Sequence, residues 1–112
     1  MVNNKKVVVV MPAYNASRTL EKTYNEIPRD LVDEVILVDD KSQDNTSELA
    51  KKLGIDHIIT HQKNKGYGGN QKSCYNKALE IGADIVIMVH PDYQYTPKLI
   101  PSMCYIIAND LY

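Results

Sequence analysis

Val7-Val8-Val9-Val10-Met11-Pro12-Ala13-Tyr14-Asn15 is the stretch on which the fold turns. Residues 7–11 are uncharged and mostly β-branched, in a run too short for a helix, and Pro12 bounds it. A strand exposed on one face alternates apolar with polar residues. An unbroken apolar run is the pattern of a strand covered on both faces, as in a parallel sheet. The run is far below the ~20 apolar residues of a membrane-spanning helix. It also passes straight into Pro-Ala-Tyr-Asn, without the cleavage site of a secretory leader. Residues 7–11 therefore read as a first, fully buried strand.

Working outward, the same pattern recurs at Glu34-Val35-Ile36-Leu37-Val38, which ends in Asp39-Asp40, and more briefly at residues 57–60. It returns at Ile85-Val86-Ile87-Met88-Val89, which ends in His90-Pro91-Asp92. Helical spacing fills the intervals. Ser17 is placed to cap a helix whose apolar Leu20, Tyr24 and Ile27 fall at i, i+4 and i+7, and Pro28 stops it. Asn45 with Glu48 three residues on is a capping-box start for a helix through Leu49, Ala50 and Leu53, closed by Gly54. Residues 61–69, with Gly66, Gly68 and Gly69, read as a loop; a helix then carries Cys74, Ala78 and Ile81 up to Gly82. Pro97 opens a last helix with Leu99, Ile100, Met103, Ile106 and Ile107. Strand and helix alternate four times, which predicts an α/β fold: a Rossmann-like parallel sheet with helices on both faces. With neither repeat nor linker, residues 1–112 read as one unit.

Composition narrows the function. The 112 residues carry 13 Lys and Arg against 14 Asp and Glu, a net charge of −1, with no basic cluster beyond short pairs such as Lys5-Lys6 and Lys51-Lys52. That is not the electrostatic footprint of a duplex nucleic-acid binder, and no nucleic-acid partner is expected. Cys74 and Cys104 lack the spacing of a zinc site or a disulfide framework, so a reducing cytoplasm is the expected compartment. No Gly-x-Ser-x-Gly elbow occurs, and Cys74 falls inside an amphipathic helix as a packed thiol, which argues against nucleophilic hydrolases.

In parallel α/β sheets ligands bind beyond the carboxyl ends of the strands, where the strand order reverses. Those ends are all polar here. Asp39 and Asp40 follow a buried strand, where a carboxylate accepts hydrogen bonds from a ribose or base; Asp also simply opens turns. Asp92 offers the oxygen that hard cations such as magnesium or manganese prefer, and His90 two positions earlier is a metal ligand, a phosphate donor or a plain strand-end residue. Gly66, Gly68 and Gly69 let the backbone approach a ligand, though without the spacing of a Walker loop. Lys65 and Lys72 either meet phosphate charge or stay solvated. Tyr93 and Tyr95 either stack on a sugar or base or anchor the last helix. His57 and His61 have no partner in the sequence and read as ordinary strand-flanking residues.

Four motifs in order carry a family likeness: Val-Val-Met-Pro-Ala-Tyr-Asn at 9–15, Val-Asp-Asp-Lys-Ser-Gln-Asp-Asn-Thr at 38–46, Asn-Lys-Gly-Tyr-Gly-Gly-Asn at 64–70 and His-Pro-Asp-Tyr-Gln-Tyr at 90–95. Together they resemble the family 2 glycosyltransferases, especially the dolichyl-phosphate mannose synthase-like branch. The resemblance implies the A-type glycosyltransferase fold and a nucleotide-diphosphate sugar, a UDP- or GDP-hexose, as donor. It implies Pro12, Ala13 and Tyr14 against the nucleobase, Asp39 on the base or ribose with Asp40 beside it, and Gly66 and Lys72 bordering the nucleotide and its sugar. Asp92 corresponds to the last acid of the family's Asp-x-Asp metal motif, whose first acid is replaced here by His90; a divalent cation, magnesium or manganese, is the implied cofactor. The implied reaction transfers a hexose to polyprenyl phosphate or another glycan carrier, at the cytoplasmic face of a membrane in the full-length protein. In such enzymes the acceptor half and its general base follow the metal motif, so the chain is expected to end before them and to leave apolar surface that favours self-association. A sugar-phosphate nucleotidyltransferase is the alternative enzyme, but it would place a Gly-rich basic loop where Pro12-Ala13-Tyr14-Asn15 stands. A non-catalytic nucleotide-binding fragment is the other alternative, told apart by binding without transfer.

Overall fold

A computed structural model describes residues 4–91. The helix expected after Pro97, together with Asp92, Tyr93, Tyr95 and Cys104, lies outside the described residues. Seven elements follow in order: β1 (Val7–Ala13), α1 (Leu20–Asn25), β2 (Glu34–Asp39), α2 (Thr46–Leu53), β3 (His57–Thr60), α3 (Gly66–Glu80) and β4 (Ile85–Met88). The four strands form one parallel sheet in the order β3-β2-β1-β4. The chain thus steps from β1 outward to β3, then returns to the other side of β1 for β4. The strand order reverses between β1 and β4.

The apolar run of β1 is buried on both faces, as its lack of alternation predicts. Val7, Val9, Met11 and Ala13 pack with Val35, Leu37, Ile85 and Ile87 against Leu20 and Tyr24 of α1 and Ala50 of α2. Val8, Val10, Ile36 and Val38 face the other way, onto Cys74 and Ala78 of α3. The period of two in the strands and the apolar stripes of the helices meet in two separate layers, so helices cover both faces. Burial pushes the Cys74 thiol up to about 12, the behaviour of a packed sulfur and not of a nucleophile.

β1 runs through Pro12 to Ala13, two residues beyond the predicted run. Pairing with β4 stops at Val10 and Met88, while pairing with β2 continues to Ala13 and Asp39. The carbonyl of Val10 points to β4, so by alternation the nitrogen of Pro12 also lies on the β4 side, past the end of that ladder, and costs it no hydrogen bond. The opposite edge carries a repeated device. Asp33, Asp56 and Asp84 each stand one residue before a strand and accept a backbone N–H at the start of the neighbouring one, from Val7 at 2.7 Å, Val35 at 2.8 Å and Lys6 at 2.7 Å.

Three local expectations are corrected. Ser17 does not cap α1, which starts at Leu20 after a turn in which Thr19 and Leu20 both donate to the Ala16 carbonyl. Asn45 does not use its side chain to cap α2; Asp44 accepts from the Thr46 N–H at 3.0 Å instead. The expected loop over residues 61–69 is shorter, because α3 already begins at Gly66. Glycine lowers helix propensity, but here Gly66 takes a left-handed φ of 76° at the entry to the helix, and a Cβ on Gly69 would stand 2.6 Å from Lys65 Cβ. A left-handed backbone at Gly66 and close packing at Gly69, not a flexible loop, account for those two glycines. Gly54, by contrast, ends α2 in the left-handed conformation expected of a C-terminal stop.

Candidate functional site

An open pocket of about 420 Å³ lies beyond the carboxyl ends of the strands, at the reversal between β1 and β4. Its size is within the ~300–1,000 Å³ of small-molecule sites. The end of β1 supplies Pro12 and Ala13 and the loop after it Tyr14 and Ala16; the end of β2 supplies Asp40. Asn64, Gly66 and Asn70 come from the approach to α3 and its first turns, His90 and Pro91 from the segment after β4. Tyr14 is 49% exposed, leaving an aromatic face available to a planar ligand.

Asp40 is the centre of the polar wall. Its carboxylate accepts from His61 Nδ1 at 2.8 Å, from the Lys65 N–H at 2.7 Å and from the Gly66 N–H at 2.9 Å. Burial by itself would raise its pKa, but the bonds from His61, Lys65 and Gly66 outweigh that and hold the carboxyl below the usual carboxylate range. These contacts also decide what α3 can do. The N–H groups at a helix start attract anions, but those of Lys65 and Gly66 already face an internal carboxylate. Among the described residues only the Gly66 N–H donates to Oδ2, which leaves that oxygen a second acceptor site.

The neighbouring Asp39 is used differently. Its carboxylate accepts from the Ser42 N–H at 2.9 Å, from the Ser42 hydroxyl and from the Ser47 hydroxyl at 2.5 Å. Four further bonds stitch the loop after β2 to the loop after β1. Asn15 N donates to Ser42 Oγ at 2.8 Å, Gln43 N to Asn15 Oδ1 at 2.8 Å, Ala16 N to Thr46 Oγ1 at 2.9 Å and Ser17 N to Asp44 Oδ2 at 3.2 Å. For Asp44, burial acts upward, while bonds from Thr46 and Ser17 prevail and lower its pKa. Ser42, Asp44 and Thr46 of the 38–46 motif are therefore spent on holding two loops together beside the pocket.

The structure brings Pro12, Ala13, Tyr14, Asp40, Gly66 and His90 around one pocket. It does not bring Asp39 or Lys72 to that lining; Lys72 is exposed on α3, and Asp92 lies outside the described residues. Two residues of the site escaped the sequence. Asn70, the last residue of the 64–70 motif, is buried, and its Nδ2 donates to the carbonyls of Ala13 at 3.3 Å and Val38 at 3.1 Å. His61 is buried between Asp40 and Ser73, whose Oγ lies 2.8 Å from Nε2. The signal for both is three-dimensional, since their partners stand 12 to 57 positions away.

The sheet order, the strand-end pocket and the buried carboxylate after β2 define a parallel α/β domain with a candidate ligand site where the strand order reverses. The glycosyl transferase family 2 profile matches residues 8–111, and the chain belongs to that family. It is 31% identical to a UDP-N-acetylglucosamine–dolichyl-phosphate N-acetylglucosaminyltransferase of Methanococcus voltae, over 96% of this chain and 49% of that protein. It is 30% identical to the dolichol-phosphate mannosyltransferase of Pyrococcus furiosus, over 93% of this chain and 30% of that one. The chain thus spans half the length or less of these relatives. Among solved structures, glucosyl-3-phosphoglycerate synthase from Mycobacterium tuberculosis, in complex with Mn2+, UDP and glucosyl-3-phosphoglycerate, superposes with a TM-score of 0.77 at 23% identity, covering 94% of this chain and 40% of that one. That likeness shows the fold.

A divalent cation needs several oxygen or nitrogen donors converging on one point. Among the described residues no group of three or more His, Cys, Asp or Glu does so. His90 and Asp40 both line the pocket, but no third donor of this kind joins them among the described residues. The described residues alone do not make a cation site. None of the described helices is long and apolar enough to cross a membrane.

Proposed function

We propose that residues 1–112 form the donor-binding part of a glycosyltransferase that moves a hexose from a nucleoside-diphosphate sugar to an acceptor, polyprenyl phosphate or another glycan carrier. The observation that carries this reading is the pocket at the strand-order reversal, walled by residues from the family motifs of a family 2 chain. Pro12, Ala13 and Tyr14 offer the apolar surface for the base, and Asp40 the acceptor for a base or ribose N–H or O–H. Asp39 acts one residue back, by shaping the loop that carries Asp40. In the same reading Gly66, in the pocket wall, and Lys72, exposed on α3 outside that wall, border the diphosphate and sugar. An acceptor oxygen would attack the anomeric carbon in line as the nucleoside diphosphate leaves. The reading assigns no general base within residues 1–112.

A divalent cation, magnesium or manganese, belongs to the same reading, with Asp92 and His90 as the residues that the sequence assigns to it. The names of the relatives support the acceptor class, and a place at the cytoplasmic face of a membrane belongs to the same proposal. The test is calorimetric titration of the chain with UDP, GDP and their hexose conjugates, first with manganese and then with chelator. Saturable preference for one nucleotide, strengthened by the cation, is the expected result. Absence of binding to every nucleotide would overturn the donor-site reading for this chain.

A further inference from the structure

We propose that His61 is a positioning residue for the pocket: by holding Asp40 it sets where the Lys65–Gly66 turn, and the pocket wall that α3 carries, stands against the end of β2. The inference deepens the donor-site reading and rests on it for the ligand. His61 follows β3 at the edge of the sheet and does not line the pocket. Its side chain and that of Asp40 are each only 5% exposed. A carboxylate only accepts, so the proton on His61 Nδ1 is directed at Asp40 Oδ1. On the other side of the ring Nε2 meets Ser73 Oγ in the second turn of α3. The same Asp40 carboxylate takes the N–H groups of Lys65 and Gly66.

One carboxylate thus ties together the end of β2, the residue after β3 and the entry to α3. Among the described residues His61 is its side-chain donor. Without that donor, rotation of the carboxyl group would release the two backbone N–H groups whose placement fixes Gly66 in the pocket wall. The connectivity Asp40–His61–Ser73 is that of a nucleophilic triad, but Ser73 Oγ also donates to the Gly69 carbonyl at 3.2 Å within its own helix. Such a hydroxyl is a strut between His61 and α3.

Two amide substitutions separate the halves of the bridge. An Asn side chain places an N–H near the position of Nδ1, and a Gln side chain places one near Nε2. His61→Asn therefore keeps the bond to Asp40 and gives up Ser73, whereas His61→Gln does the reverse. With the folded fraction of each variant followed by circular dichroism, His61→Asn is expected to bind the preferred nucleotide within about threefold of the parent. His61→Gln and His61→Ala are expected to lose about tenfold, the scale on which residues supporting a site act. The opposite order, or affinities unchanged in all three once folding is accounted for, would overturn the proposal. Labelling of Ser73 by a fluorophosphonate probe would overturn it too, by showing an activated nucleophile. If the parent chain binds no nucleotide, the donor-site reading fails by itself, and amide exchange decides the positioning claim. Slow exchange at Lys65 and Gly66 in the parent and His61→Asn, with fast exchange in His61→Gln, sustains it; equal exchange in all of them refutes it.

Discussion

Asn70 Nδ2 donates to the carbonyl oxygen of Ala13 across 57 positions of sequence, at 3.3 Å. The same nitrogen donates to the Val38 carbonyl at 3.1 Å, so one buried side chain on α3 joins the ends of β1 and β2. Asn70→Ala removes both bonds and leaves a gap beside the pocket. A loss of about 1–3 kcal/mol in unfolding free energy is expected, the cost of leaving buried polar groups unpaired. Urea unfolding reads it as a lower midpoint with an unchanged slope.

Gly68 and Gly69 are neighbours in α3 and should respond in opposite directions to alanine. Apart from its chain neighbours and the backbone of its own helix, nothing lies within 4 Å of the place a Cβ on Gly68 would take, and its φ is not in the left-handed region. Gly68→Ala then gains helix propensity, worth about 0.5–1 kcal/mol. A Cβ on Gly69 would meet Lys65 Cβ at 2.6 Å, and Lys65 N is bonded to Asp40. Gly69→Ala must displace that turn and is expected to cost about 1–3 kcal/mol, the usual scale of overpacking. Thermal melts of the two variants should move to either side of the parent.

The sheet was legible because its signal is local. Residues 7–11 and 34–38 show unbroken apolar runs, and burial on both faces is the one environment that rewards them. The pocket walls at Pro12, Ala13, Tyr14, Asp40, Gly66 and His90 were legible as strand ends and a glycine cluster. What sequence could not separate was Asp39 from Asp40. Adjacent side chains on an extended backbone point opposite ways, and the sequence does not say which way the loop turns. Nor could it find His61 and Asn70, since a buried polar side chain is defined by partners that only the fold brings near. The start of α3 was missed for a related reason: three glycines lower local helix propensity, and the compensation comes from Asp40, just past the end of β2.

Lys41 sits between Asp40 and Ser42 with a φ of 59°, in the left-handed region that side chains with a Cβ disfavour. The bonds of Ser42 to Asp39 and Asn15 hold it there. Replacing it with glycine relieves roughly 1–2 kcal/mol of backbone strain. Part of that is returned as greater freedom of the unfolded chain, about 0.4–1 kcal/mol. Lys41→Gly is therefore expected to stabilise by about 0.5 kcal/mol, a rise of about 2–4 °C in Tm for a domain of this size. Asn15, with a φ of 52°, should gain less from the same change, because asparagine tolerates this conformation.

The acid limb of stability should carry the signature of Asp40. Its carboxyl titrates below the ordinary value of 3.8 in the folded chain, because His61 and the Lys65 and Gly66 N–H groups overcome the upward push of burial. The unfolded chain consequently takes up this proton at a higher pH than the folded one. The stabilisation is complete above the unfolded value and disappears as pH falls through the folded one. Asp40→Asn removes the charge at every pH, and its amide cannot accept at both former oxygens. Parent and Asp40→Asn should thus differ most in unfolding free energy near neutral pH and converge as pH falls below about 4. Asp33, Glu34 and Asp44 are also lowered and remain in both proteins, so their contribution cancels in the difference. Denaturant melts across pH 2–7 measure that difference. A gap that stayed constant through this range would show that the charge of Asp40 contributes nothing to the bonds it accepts.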